Sequence, residues 1–406
     1  MDKSILCIEK DACCGCGLCQ SVCPQNAISE KQDKGFWYPF VNPEKCTDCG
    51  LCTRKCPVTL KTEVQPISSY SFYRTEKAFM KSVSSGGFAS ALAEYVISKS
   101  GVVYGVGYSD NYKEANFVRV TNKNELDVLK GSKYTEPIPP DYKSIKKDVS
   151  DGKLVLFVGL PCHVEALRSL LNNKPPINLL LVGLMCLGKS PNQLFVKFTD
   201  EMTEKYGADI TNINMRWKRF HGYSSYMKVD FSNGKSYKKN LLCDSYGILS
   251  HELFRESCYR CNFKIDNSSA DFLIGDFWGS EFVDKKYSNY LGTSSIICLN
   301  KEKEHYVNKL IGIVHPIDIK DVLRTNGAIS SSAQKPADYD DCLAKLNSGT
   351  RLDEICRNNK GRIQKRILEL MLFIKSITPY CLLRTIKRIK HRRANNIKTI
   401  YEYRRV

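Results

Sequence analysis

No run of apolar residues in this chain of 406 is long enough to span a membrane. The longest, residues 179–187 and 367–374, are far too short. The start, MDKSILCIEKDACCG, puts no basic region ahead of an apolar one, so no secretory leader is expected. Acidic residues are outnumbered, 43 against 61 Lys and Arg, for a net charge of +18. That excess is local: residues 360–406 carry 14 Lys or Arg against Glu369 and Glu402. The body of the chain is nearly balanced, which argues against a specific nucleic-acid partner. An even disulfide framework is absent too. The 19 cysteines are odd in number and clustered, as metal ligands are, which points to a reducing, cytoplasmic setting.

What is present is dominated by two matching runs. Cys13, Cys16, Cys19 and Cys23-Pro24 repeat 33 positions later as Cys46, Cys49, Cys52 and Cys56-Pro57. This spacing holds two [4Fe-4S] clusters, and the duplication marks a small internal repeat. Three closely spaced thiolates wrap one face of a cubane, and the fourth reaches the other cubane. Cys13, Cys16, Cys19 and Cys56 should therefore hold one cluster, and Cys46, Cys49, Cys52 and Cys23 the other. Zinc sites commonly use two CxxC pairs instead of a triplet followed by Cys-Pro. Gly15, Gly17 and Gly50 let backbone N–H groups approach the sulfurs. Cys7 and Cys14 fit no ligand position and read as ordinary small side chains. The runs imply electron transfer.

The hydrophobic content, 42%, is enough for a real core, and the length suits two or three domains. Residues 1–65 form the ferredoxin-like unit, and Gln65-Pro66-Ile67-Ser68-Ser69 reads as a linker. Beyond it, apolar strands alternate with helical segments. Strands are expected at 102–106, 117–120, 154–158, 177–184, 272–274 and 294–299, and helices at 88–97, 163–171 and 191–206. A hairpin or meander is expected over 215–242 and a helix from Lys301. Such continuous apolar strands suggest an α/β sheet covered on both faces. The tail from about 360 reads as a basic amphipathic helix. Ile363, Ile367, Leu370, Met371 and Ile374 share one face, as in helices that lie in an anionic membrane surface.

Several strand and helix ends carry chemistry. Ser84-Ser85-Gly86-Gly87 opens a helix, where N–H groups suit a phosphate or flavin edge; Ser84 as a helix cap is the alternative. Lys130-Gly131-Ser132-Lys133-Tyr134 is a basic loop of similar character. Gly159-Leu160-Pro161-Cys162 and Met185-Cys186 end neighbouring strands, where open α/β sheets place ligands. With Cys258 and Cys261 they offer four thiols for a third [4Fe-4S] cluster; redox-active or simply buried cysteines are the other readings. Asp276 and Trp278, between Gly275 and Gly279, suit a planar cofactor, with an ordinary turn as the alternative. His163 and His221 are lone histidines, and His163 beside Cys162 is a candidate for proton transfer.

GLPCHVEAL (159–167), LMCLGKSP (184–191), CYRC (258–261) and GDFWG (275–279), with SSGGF (84–88) and KGSKY (130–134), resemble the coenzyme F420 hydrogenase/dehydrogenase beta-subunit family. The resemblance implies a flavoprotein that binds FAD through Ser85, Gly86, Gly87 and Lys133. It also supports a third cluster on Cys162, Cys186, Cys258 and Cys261. His163 departs from the family, many of whose members carry glutamine there, and the basic tail lies outside its pattern. The expected architecture is a bacterial-type 2[4Fe-4S] ferredoxin domain (1–65), a mixed α/β flavin-binding domain (75–330) and a basic helical extension (331–406). The expected function is electron transfer between clusters and FAD, and on to or from coenzyme F420 or a small organic substrate. The alternative is a non-catalytic subunit that wires a partner enzyme to ferredoxin. Expected partners are ferredoxin or another electron-transfer protein, and peripherally a membrane surface.

Overall fold

A computed structural model describes residues 3–60, 63–219, 221–222, 225–356, 370–374, 378 and 382. Most of the expected basic helix lies outside the described residues. Among those described, no helix is long and apolar enough to cross a membrane.

The N-terminal unit is built as a repeat. Helices α1 (Leu18–Val22) and α2 (Leu51–Arg54) follow Gly17 and Gly50, whose φ angles are +74° and +68°. The positions two residues earlier, Gly15 and Asp48, are left-handed as well, at +62° and +52°. Sequence duplication has thus become backbone duplication, with glycine where a Cβ would be strained. Strands β1 (Ile28–Asp33) and β2 (Phe36–Val41) pair through Asp33 and Phe36. Lys34 and Gly35, both at positive φ, make the tight turn.

The rest centres on one eight-stranded mixed sheet. Its strands are β3 (Ser68–Tyr73), β4 (Val102–Tyr108), β5 (Ala115–Val120), β6 (Val155–Gly159) and β7 (Leu179–Leu184). A separate three-stranded sheet contains β8 (Ile210–Asn214), β9 (Tyr226–Phe231) and β10 (Ser236–Asn240). Strands β11 (Phe272–Asp276), β12 (Ser294–Cys298) and β13 (Ile313–Pro316) complete the large sheet, in the order β13-β3-β12-β11-β7-β6-β4-β5. Its centre, β11-β7-β6-β4, is parallel and the flanks are antiparallel. Ser68 and Ser69 therefore belong to a sheet strand instead of a linker, and the α/β unit begins ahead of residue 75. The aromatic residues Tyr70, Phe72 and Tyr73 of the same strand outweigh the serines.

Side chains alternate between two cores, as the period of a strand requires. Leu179, Leu181, Val155 and Phe157 pack with helices α5 (Tyr142–Ser150) and α6 (Pro161–Leu170), and with Leu18, Cys14 and Cys16 of the N-terminal unit. Leu180, Val182, Leu156 and Val103 pack on the other face beneath α4 (Phe88–Ser98), which follows the short α3 (Lys77–Ser82). The ferredoxin-like unit is thus seated on one face of the sheet. A third core joins α7 (Asn192–Tyr206), the small sheet and the later helices Tyr339–Asn347 and Leu352–Ile355. The segment from Lys301 is a 3-10 helix, Lys301–Lys309.

Candidate functional site

The N-terminal cysteines lie close together, with Cys19 and Cys56 bordering both of the groups they form. A cavity of about 590 Å³ is lined by Cys13, Cys16, Cys19 and Cys56, together with hairpin residues such as Tyr38 and Glu30. Burial, reinforced by the neighbouring Cys13, pushes the Cys56 thiol up to about 11 and raises that of Cys19 further. Of the second set, Cys52 is buried with Ile5, Ile28 and Val41, with Cys23 and Cys46 packed alongside. Cys49 is exposed. Thiols held this high are poor thiolates, and a bound metal removes the penalty by accepting the sulfur charge. Among the described residues, no three His, Cys, Asp or Glu side chains converge as tightly as one metal ion needs. A cubane holds each thiolate at a different iron, so its ligands stand farther apart than those of a single ion.

The other four candidate ligands meet at the carboxyl ends of parallel strands. Gly159 of β6 is in register with Gly183 of β7. Cys162 and Cys186 each follow three residues later, so the sheet delivers them to the same level. Cys258 and Cys261 come from the segment Glu256–Arg260 and the residue after it. All four are within electrostatic reach of one another: burial, and then the facing thiols, raise Cys186 above its usual range. Burial likewise lifts Cys258 to about 11. Lys264 ties this group together by donating to the carbonyls of Cys186 and Ala328, at 3.1 and 2.9 Å.

Cys14 joins the two regions. Its buried side chain packs in one cluster with Cys16 and Cys162. Nothing in its sequence neighbourhood pointed to packing against a residue so far along the chain. Around this junction lies a buried charged group. Lys189 forms an ion pair with Glu136 at 3.0 Å and donates to the carbonyls of Cys14 and Gly15. Arg255 donates to Glu136 at 2.9 Å and to the Cys13 carbonyl at 2.7 Å, and approaches the Cys13 sulfur at 3.6 Å. Burial works against both cations, but Glu136 and the adjacent thiols outweigh it and keep them protonated. Gly15 serves closeness here: a Cβ on it would lie 2.6 Å from Glu136 Oε1 and 2.8 Å from Arg255 Cζ.

A second group of candidate residues gathers where β11 ends and β12 begins. Helix α4 begins after Gly87 with no side chain capping it. Ser84 instead accepts a hydrogen bond from Ser132 at 2.9 Å, which brings the two glycine-bearing loops together. Gly86 is required by close packing, since a Cβ would lie 2.0 Å from the Phe72 carbonyl oxygen. Ser85 donates to Thr293, and its carbonyl accepts from Lys218 at 2.7 Å. Asp276 accepts from Arg216 at 2.8 Å, and that guanidinium lies 5.2 Å from the Trp278 ring centroid. Lys133 turns back on its own loop, donating to the carbonyls of Val128, Lys130 and Gly131 at 3.1, 2.9 and 3.3 Å. Arg216 and Lys218 went unnoticed in the sequence, although two cations flanking Trp217 after a strand were a usable signal. Burial pushes the Lys218 ammonium down to about 7. His163 is fully buried against Phe117, and both of its ring nitrogens lack a partner. Burial, with the Lys189 charge adding to it, depresses its pKa and favours the neutral imidazole. His221 is buried too.

Residues 152–313 match the family model for the C terminus of the coenzyme F420 hydrogenase/dehydrogenase beta subunit, and residues 12–60 match the 4Fe-4S dicluster domain. The later part of the chain is thus similar to the C terminus of that beta subunit, and its N-terminal part to a 4Fe-4S dicluster domain. The chain is 23% identical over 295 residues to the F subunit of the F(420)H(2) dehydrogenase of Methanosarcina mazei, spanning 68% of this chain and 80% of that protein. It also resembles a chain of the xenon-derivatised F420-reducing [NiFe] hydrogenase complex from Methanosarcina barkeri. That match has 15% identity and a TM-score of 0.45, and covers 74% of this chain and 96% of the other. The matched C-terminal segment contains Cys162, Cys186, Cys258, Cys261, Arg216, Lys218, Asp276 and Trp278. Ser85, Gly86, Gly87 and Lys133 lie outside both matched segments.

Proposed function

We propose that this chain is an iron–sulfur flavoprotein electron-transfer subunit of coenzyme F420 hydrogenase/dehydrogenase chemistry, with bacterial-type 2[4Fe-4S] ligation. Cys13, Cys16, Cys19 and Cys56 bind one cluster, Cys23, Cys46, Cys49 and Cys52 a second, and Cys162, Cys186, Cys258 and Cys261 a third. FAD binds at Ser85, Gly86, Gly87, Asp276 and Trp278. Lys133 shapes the adjoining loop, Arg216 supplies positive charge, and Lys218 takes up its proton when an anionic group binds beside it. When bound, the clusters carry single electrons and the flavin couples them to two-electron hydride chemistry.

The observation that carries this reading is the packing of Cys16, from one proposed ligand set, and Cys162 and Cys261, from another, around a single buried cluster. The chain's own residues keep that junction dry: Cys14, Cys162 and Cys258 are all buried. An uncapped helix start, a buried lysine and a buried arginine beside an indole also fit an anionic ligand with a planar ring.

The hydride carrier is coenzyme F420 or a small organic molecule, and the electron partner is ferredoxin or a similar protein. The setting is cytoplasmic. The basic tail adds contact with an anionic membrane surface: residues 370–374 are helical, with Leu370, Met371, Phe373 and Ile374 exposed.

The purified chain, loaded anaerobically with iron, sulfide and FAD, should oxidise reduced F420 with a viologen dye as acceptor. Clusters that cycle with dithionite and the dye, but no turnover of any hydride donor, would favour the wiring subunit instead.

A further inference from the structure

We propose that Glu136, Lys189 and Arg255 form a buried charge bridge that sets the reduction potentials of the two clusters it separates. This rests on the ligand sets proposed above. The three side chains are closed off from water, with exposures of 1%, 2% and 0%. They come from three distant segments and carry two positive charges against one negative.

The bridge touches both ligand sets. On one side, Lys189 and Arg255 donate to the carbonyls of Cys14, Gly15 and Cys13, and Arg255 approaches the Cys13 sulfur. On the other, the Cys258 amide donates to the Arg255 carbonyl at 2.8 Å, and the Arg255 amide donates to the Lys189 carbonyl at 2.9 Å. The arrangement is held from behind. Glu136 accepts from the Trp37 amide at 3.3 Å, and Arg255 donates to the Trp37 carbonyl at 2.7 Å and lies 4.0 Å from the Tyr38 ring centroid.

Burying two cations is costly unless the site gains from them. One-electron reduction adds one negative charge to a cluster, and a fixed net positive charge beside it favours the reduced form. Water screens little in such a site, so the effect is large at short range. The remaining set, Cys23, Cys46, Cys49 and Cys52, has none of these contacts and lies outside the influence.

The test is a redox titration of the anaerobic full-length chain followed by electron paramagnetic resonance. Lys189→Met should lower the midpoints of the two bridged clusters, changing the reduced-to-oxidised ratio at fixed potential by at least tenfold, about 59 mV for one electron. Glu136→Gln removes the one negative charge while the cluster thiolates still face Lys189 and Arg255, and should raise the same midpoints. Lys189→Arg should restore them, and the midpoint of the cluster on Cys23, Cys46, Cys49 and Cys52 should stay put in every variant. The opposite signs separate charge from general disruption, which shifts both variants alike. If Lys189→Met fails to load iron, the upward shift in Glu136→Gln still decides. Twelve irons with unmoved midpoints in both variants overturn the bridge alone. Eight irons in the unmodified chain overturn the ligand sets, and the bridge with them.

Discussion

Gly15→Ala isolates how tightly the N-terminal unit is built onto its surroundings. Two costs add. The φ of +62° is strained for a residue with a Cβ, at roughly 1–2 kcal/mol. The new methyl would also lie 2.6 Å from Glu136 Oε1 and 2.8 Å from Arg255 Cζ. Both neighbours are buried and pinned, so they cannot swing away, and overpacking of this kind costs about 1–3 kcal/mol. The expected loss is therefore about 2–5 kcal/mol. Gly207→Ala is the control. Its φ is +59° and nothing lies within 4 Å of the added Cβ, so it carries the backbone cost alone. Urea unfolding of the anaerobically purified variants, followed by circular dichroism, measures the difference. Equal losses for the two variants would show that Gly15 is chosen for backbone conformation only and that the packing argument is wrong.

Three further outcomes follow from the same geometry. Cys258→Ser should lower the iron content by about four atoms per chain, one cubane, whereas Cys298→Ser, buried in the opposite core, should lose none. For flavin-free protein, Lys218 at about 7 in the fold and 10.5 when exposed leaves the unfolded chain with one more proton between those values. Stability should then rise with pH, so the wild type gains about 2 kcal/mol on Lys218→Met between about pH 6.5 and 8.5; a flat difference in urea midpoints refutes the buried, neutral lysine. Deleting residues 360–406 should abolish sedimentation with vesicles of anionic lipid, and unchanged binding would remove the tail from the account.

The eight N-terminal cysteines were legible because ligands to one rigid inorganic group must recur at fixed spacing. The parallel strands were legible because strands buried on both faces read as unbroken apolar runs, as Leu179–Leu184 does. Cys162 and Cys186 were placed at strand ends for the same reason. Other features depended on which distant segments meet. Glu136, Lys189 and Arg255 look like surface charges until their burial is known. Cys14 looked incidental because its contact is with Cys162. Ser84 looked like a helix cap, but Ser132 takes it and leaves the start of α4 to Gly87. Lys133 looked like a phosphate ligand, yet its own loop supplies three carbonyls.

The most direct test of the central claim is the content of iron, sulfide and flavin in the anaerobically purified chain. The account predicts about twelve irons, about twelve sulfides and one FAD per chain, as three cubanes and one flavin require. About eight irons and no flavin, even after reconstitution, would contradict it and leave a two-cluster wiring subunit.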